Sequence, residues 1–162
     1  MRRMRMAAAL LALSCLPLGW AAAEEVVRQP VRADEAALQG AWLGREVEGQ
    51  GMEVLAVVEG THMTFTVQAP GPRIKGTITL KPTVIPKQVD VAIEEANNPD
   101  TVGKASLGIY KFDVEGTWTL AANAPGVGER PEKFEPTDQT KVFTFRKWEP
   151  GMALPGLPPE LK

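Results

Sequence analysis

Three features of this sequence predict an all-β fold, an antiparallel eight-stranded up-and-down β-barrel entered by a short N-terminal helical turn. Apolar and polar residues alternate in short runs, Gly- and Pro-rich turns separate the runs, and no segment keeps a helical period for the length a parallel crossover needs. Consecutive strands joined by short turns pair as a meander, and closing the meander removes both exposed edges. A β-sandwich of the same strands is the alternative, because alternation alone does not separate a closed sheet from two packed ones.

The chain begins with a segment that reads as an export leader. Arg2, Arg3 and Arg5 form a basic start, Met6 to Leu18 an apolar run too short for a membrane span, and Ala21-Ala22-Ala23 a small-residue cleavage site. Residues 1–23 are therefore expected to be a signal peptide directing the protein to the periplasm or the medium, with a lipoprotein anchored at Cys15 as the alternative. Cleavage after Ala23 removes the single cysteine, so the mature chain has no disulfide, thiolate nucleophile or cysteine metal site. It also removes three of the 18 basic side chains, leaving 15 against 20 acidic ones and a net charge of about −5. A mildly acidic surface without a basic cluster argues against nucleic acid as a partner, and no later run supplies a stable membrane span.

Residues 24–33 are polar, carry Pro30 and read as a flexible mature N-terminus; the barrel domain is expected over 34–148. Asp34 is placed to cap a helical turn through Leu38, with Glu35 in the first turn where the helix dipole favours a carboxylate, and Gly40 stops the turn. Strands follow over Ala41–Val47, Met52–Val58, His62–Gln68, Ile74–Leu80, Gln88–Glu94, Lys104–Phe112, Thr117–Ala122 and Lys141–Trp148. The third is the clearest, with Met63, Phe65 and Val67 on one face against Thr64, Thr66 and Gln68 on the other. Glu48-Gly49-Gln50-Gly51, Pro70-Gly71-Pro72 and Asn97-Asn98-Pro99-Asp100 supply turns, and residues 123–140 form a long Pro- and Gly-rich loop. Residues 149–162 hold four prolines and little to bury, as expected of an extended or disordered tail.

Candidate chemistry is limited by inventory. The mature chain has one serine, Ser106, and one histidine, His62, the first among strand residues and the second at a turn, so a catalytic pair is not expected. A lone histidine supplies no zinc triad, and Asn97, Asn98 and Asp100 lack the spacing of a calcium loop. Glu94 and Glu95 are adjacent, which on a regular strand sends them to opposite faces. No catalytic, cofactor-binding or metal-ligating residue is assigned. For ligand binding the candidates are Phe65, Tyr110 and Trp118, aromatic residues at strand positions that also suit a plain core, and Arg130, placed in the long loop either to reach an anion or to pin the loop to a carboxylate.

Leu38-Gln39-Gly40-Ala41-Trp42, Lys75-Gly76-Thr77, Pro82-Thr83, Pro86-Lys87, Asp90, Gly103-Lys104, Leu107-Gly108-Ile109-Tyr110 and Glu129-Arg130-Pro131 occur in this order. Together they resemble a family of uncharacterised bacterial lipocalin-like domains of planctomycete type, over about Leu38 to Lys147. The resemblance implies a lipocalin-like β-barrel and brings no established activity. Gly40 and Trp42 are also similar to the Gly-x-Trp signature of lipocalins, in which the tryptophan closes the barrel base beneath a basic side chain from the last strand. Arg146 is the candidate for that cover, with Lys147 in its place if the register slips by one.

Three functions remain in view: a non-enzymatic barrel for a small apolar ligand, an envelope module with a filled barrel that binds another protein, and, third, an enzyme. A cavity of about 300 Å³ or more favours the first and a filled interior the second. The many large residues at inward positions favour filling.

Overall fold

The computed structural model describes residues 33–48, 51–67 and 71–149, and in it eight antiparallel strands close into one barrel in chain order. They are β1 (Gly40–Glu46), β2 (Glu53–Glu59), β3 (His62–Val67), β4 (Arg73–Lys81), β5 (Lys87–Ala96), β6 (Ala105–Phe112), β7 (Trp118–Asn123) and β8 (Thr140–Lys147). β8 returns to pair with β1, Trp42 standing opposite Lys147 and Glu46 opposite Phe143. The sheet therefore has no free edge, which excludes the sandwich. A short helix over 33–38 leads into β1, and no described helix is long and apolar enough to cross a membrane. Expectations for 1–23, for most of 24–33 and for the tail beyond 149 fall outside the described residues, as does Gln68.

Each expected strand forms with its ends displaced by at most two residues. Period-two alternation sets the inner face: Trp42, Gly44 and Glu46 on β1, Met63, Phe65 and Val67 on β3, and Phe143 and Phe145 on β8 are inward. In an up-and-down barrel the start of every odd strand and the end of every even one lie at the same end. Here that end is packed solid. Leu38, Trp42, Tyr110, Trp118 and Phe145 are all buried there, with Trp42 and Trp118 edge to face at 5.7 Å and Trp118 stacked on Phe145 at 4.3 Å. Gly44 permits this packing, because a Cβ at that position would stand 2.3 Å from the Phe145 ring.

Two local expectations are corrected. Asp34 lies inside the helix, and its carboxylate accepts from Lys87 Nζ at 2.7 and 3.0 Å and from the Tyr110 hydroxyl at 2.6 Å, tying helix to barrel. Glu94 and Glu95 do not point to opposite faces. A register shift in the β4–β5 pairing puts Lys75 opposite Glu95 and Gly76 opposite Ile93, so Glu94 is the extra residue of a bulge. Both glutamates are consequently exposed, Glu94 accepting from Thr77 Oγ1 at 2.5 Å and Glu95 paired with Lys75 at 3.0 Å.

Outside the barrel, the loop over 124–139 straps the β6–β8 face. Phe134 covers Ile109, Ala121 and Val142, a second apolar cluster on the outer side of the sheet.

Candidate functional site

The interior is not filled throughout. Below the packed rings and toward the other end, where β1, β3, β5 and β7 finish, the barrel holds a cavity of about 260 Å³ that opens at a mouth. Its wall is apolar: Phe65, Ile74, Val91, Ile93, Leu120 and Phe143 contribute to it, and Met52, Pro72 and Pro125 stand around its mouth. Phe65 and Phe143, edge to face at 5.3 Å, separate it from the aromatic stack of the closed end. Space exists because Ser106, Gly108 and Ala122 occupy inward positions on β6 and β7, with Gly108 paired to Ala122, where the facing strands carry larger side chains. The volume lies a little under the usual range for ligand pockets but well above an apolar cavity of about 150 Å³ known to stay dry and take up benzene.

Of the candidate ligand contacts, Phe65 lines this cavity and the other three do not. Tyr110 and Trp118 are core residues of the closed end, because β6 finishes and β7 begins there. Burial first, then the hydrogen bond to Asp34 and the charges of Asp34 and Glu35, push the Tyr110 phenol far above its ordinary value, so it stays a donor. The Trp118 indole N–H is buried without an acceptor among the described residues. Arg130 takes the pinning role: its guanidinium donates to the carbonyls of Val89 and Gly108 at 2.9 and 2.6 Å and pairs with Asp90. Partial burial works against the Asp90 carboxylate, but hydrogen bonds and charge from Lys81 and Arg130 outweigh it and hold its pKa below the usual value.

The cover of Trp42 is also corrected, from Arg146 to Lys147. Arg146 shares neither the face of Phe143 and Phe145 nor that of Trp42, and it is exposed. Lys147 is the inward member of the pair; its ammonium stands 4.4 Å from the Trp42 ring centre and donates to the carbonyls of Ala37 and Gln39 at the end of the helix. Desolvation there lowers its pKa. Gly40, at φ +97°, turns the chain from helix into β1, and the Trp42 indole donates to the Leu38 carbonyl at 2.7 Å.

Other polar residues are accounted for by structure. Ser106 Oγ donates to the Asn123 carbonyl at 2.6 Å near the mouth, whereas exposed His62 begins β3 at the closed end, so the two do not meet. Asn97 accepts from the Arg73 amide and Asn98 caps the 3₁₀ turn Pro99–Thr101. Among the described residues no three His, Cys, Asp or Glu side chains gather as a metal site requires.

A polar pair, absent from the sequence-based candidates, stands at the mouth. Glu46, on the inner face at the end of β1, has a side chain only 3% exposed; its Oε1 accepts from Lys141 Nζ at 2.6 Å, and its Oε2 has no partner among the described residues. Lys141, 54% exposed, is the one charged side chain in the cavity wall among the described residues. Parity was the available signal, since counting by twos from Trp42 and back from Phe143 turns both residues inward.

Comparison of the chain with protein-family models, with curated proteins and with solved structures finds no match.

Proposed function

We propose that this protein is an exported, lipocalin-like, non-enzymatic barrel that binds a small apolar ligand. The observation that carries the proposal is the apolar cavity of about 260 Å³ behind a closed base. Scaled from benzene in a cavity of about 150 Å³, it has room for a ligand of roughly ten non-hydrogen atoms. Each buried methylene contributes about 0.8 kcal/mol, so a chain of about nine carbons gains about 7 kcal/mol against an association cost of about 4 kcal/mol or more, which corresponds to millimolar affinity. The helix, Gly40, Trp42 and Lys147 at the closed base support the lipocalin-like reading, and the basic, apolar and small-residue segments of 1–23 support export, which N-terminal sequencing of the native protein tests.

Titration with nonan-1-ol while following isoleucine δ1-methyl resonances tests the binding itself. Ile74 and Ile93 line the cavity and should shift, while Ile85, exposed on a loop, and Ile109, under the strap, should not. Unmoved Ile74 and Ile93 signals up to the solubility of the alcohol would refute the reading. A second reading, docking of another envelope protein, draws support from the full exposure of Ile85 and Val114 on two closed-end loops, but the filled interior it expects is absent.

A further inference from the structure

The Glu46–Lys141 pair assigns a head group to the ligand. We infer that the ligand is a neutral amphiphile whose apolar body occupies the cavity and whose polar head, an oxygen of the alcohol or carbonyl kind, accepts a hydrogen bond from Lys141 at the mouth. The inference rests on the binding reading above and adds to it the chemistry of the head.

Apart from Ser106, Asn123 and Lys141 the cavity wall is apolar, and the Ser106 hydroxyl and the Asn123 amide already donate to the carbonyls of Asn123 and Glu129, so Lys141 at the mouth is the donor open to a head. Lys141 lines the wall there with its side chain 54% exposed, and one of its three ammonium protons is engaged by Glu46. Two donors remain for an entering oxygen. The charge that a free lysine would offer to an anion is, however, already answered. Glu46 is 3% exposed, its Oε1 sits 2.6 Å from Nζ, and Oε2 has no donor among the described residues, so the carboxylate is held from water with Lys141 as its cation. An anionic head would have to share that one cation with a buried carboxylate, two negative charges competing in a site of low polarisability. A neutral acceptor uses the spare protons and leaves the ion pair whole. Glu46 acts in this scheme through Lys141 and is a positioning residue, fixing both the direction and the net charge of the donor.

The test compares nonan-1-ol with nonanoate, the latter fully ionised at pH 8, by the same isoleucine methyl titration on the full chain. Water retains a carboxylate more strongly than an alcohol at any apolar site, so the diagnostic quantity is how the affinity ratio changes on substitution. Glu46→Gln keeps size and leaves Lys141 unpaired; it should strengthen nonanoate binding about tenfold or more, with nonan-1-ol changed no more than about threefold. Lys141→Met should weaken nonan-1-ol about fivefold, the worth of one hydrogen bond, and Lys141→Arg, which keeps both pair and donor, should restore it. Should Lys141→Met fail to fold with its partner orphaned, the Glu46→Gln ratio alone decides. A ratio unchanged by Glu46→Gln, or wild-type protein that binds nonanoate as tightly as the alcohol, overturns the head-group inference while leaving the binding barrel intact. No methyl shift with either compound overturns both.

Discussion

Replacing Trp42 with alanine should remove much of what closes the barrel. The side chain is 3% exposed, packs edge to face on Trp118 at 5.7 Å and tilted against Phe112 at 6.1 Å, and donates to Leu38 O at 2.7 Å. Truncating a buried aromatic costs about 3–5 kcal/mol, and here the Lys147 contact and the bond that holds the helix end are lost with it, so a value near the upper limit, about 4–5 kcal/mol, is expected. Against a domain stability of about 5–15 kcal/mol that leaves a marginal fold, with Tm lower by about 15 °C. Lys147→Met keeps the packing over the indole and removes the charge and its two carbonyl contacts, for about 1 kcal/mol. Arg146→Ala, on the exposed face, should stay within about 0.5 kcal/mol. Urea unfolding followed by far-ultraviolet circular dichroism measures all three without relying on the mutated fluorophore. A loss below about 1 kcal/mol for Trp42→Ala, or a larger loss for Arg146→Ala than for Lys147→Met, would refute this account of the closed end.

Ala122→Leu adds three carbons at the cavity wall and should weaken nonan-1-ol binding at least about tenfold; filling on the order of 70 Å³ at about 24 cal/mol per Å³ raises stability by up to about 1.7 kcal/mol, read by urea unfolding. Arg130→Ala frees the strap from Val89, Gly108 and Asp90 and should cost about 2 kcal/mol, with ligand affinity changed less than about twofold because the guanidinium lies outside the cavity; a large affinity loss in the methyl titration would return Arg130 to the binding site. Asp90→Asn should be destabilising by about 1–2 kcal/mol at pH 7. The folded pKa of Asp90 is depressed, so its contribution is present above the unfolded value of about 3.9 and is lost as pH falls through the lower folded one. Unfolding curves of wild type and variant should therefore converge only below that range, and a gap that closes near neutrality would contradict the ion-pair geometry.

The strands were legible because a half-buried strand writes its face into every second residue. Parity also carried more than was drawn from it: if Phe143 and Phe145 are inward, Lys147 is inward and Arg146 is not, and the same counting turns Glu46 and Lys141 into the lumen. Strand direction in a meander likewise sends Tyr110 and Trp118 to the end where Trp42 sits, away from the cavity. Two features were beyond local reading. The Glu94 bulge depends on how β5 registers against β4, a pairing set by distant residues. The cavity depends on Ser106, Gly108 and Ala122 becoming neighbours across two strands, which only the β6–β7 register decides.

That hollow is costly enough to bear on function. At about 24 cal/mol per Å³, an upper limit for a hollow that opens at its mouth, 260 Å³ forgoes at most about 6 kcal/mol of packing relative to a filled barrel. The loss is local, because the closed end is packed around four buried rings and tied to the helix through Asp34, Tyr110 and Lys87. A barrel that served only to present its loops to a partner gains nothing from small residues at three adjoining inward positions, and Leu at Ala122 would serve it better. A barrel that takes up a ligand recovers the contacts on binding. The division between a solid base and a hollow mouth thus favours the ligand over the filled interaction module, and Ala122→Leu separates them: a more stable protein that no longer binds nonan-1-ol fits the first, while unchanged stability would mean that the space is already occupied by movement of its own side chains.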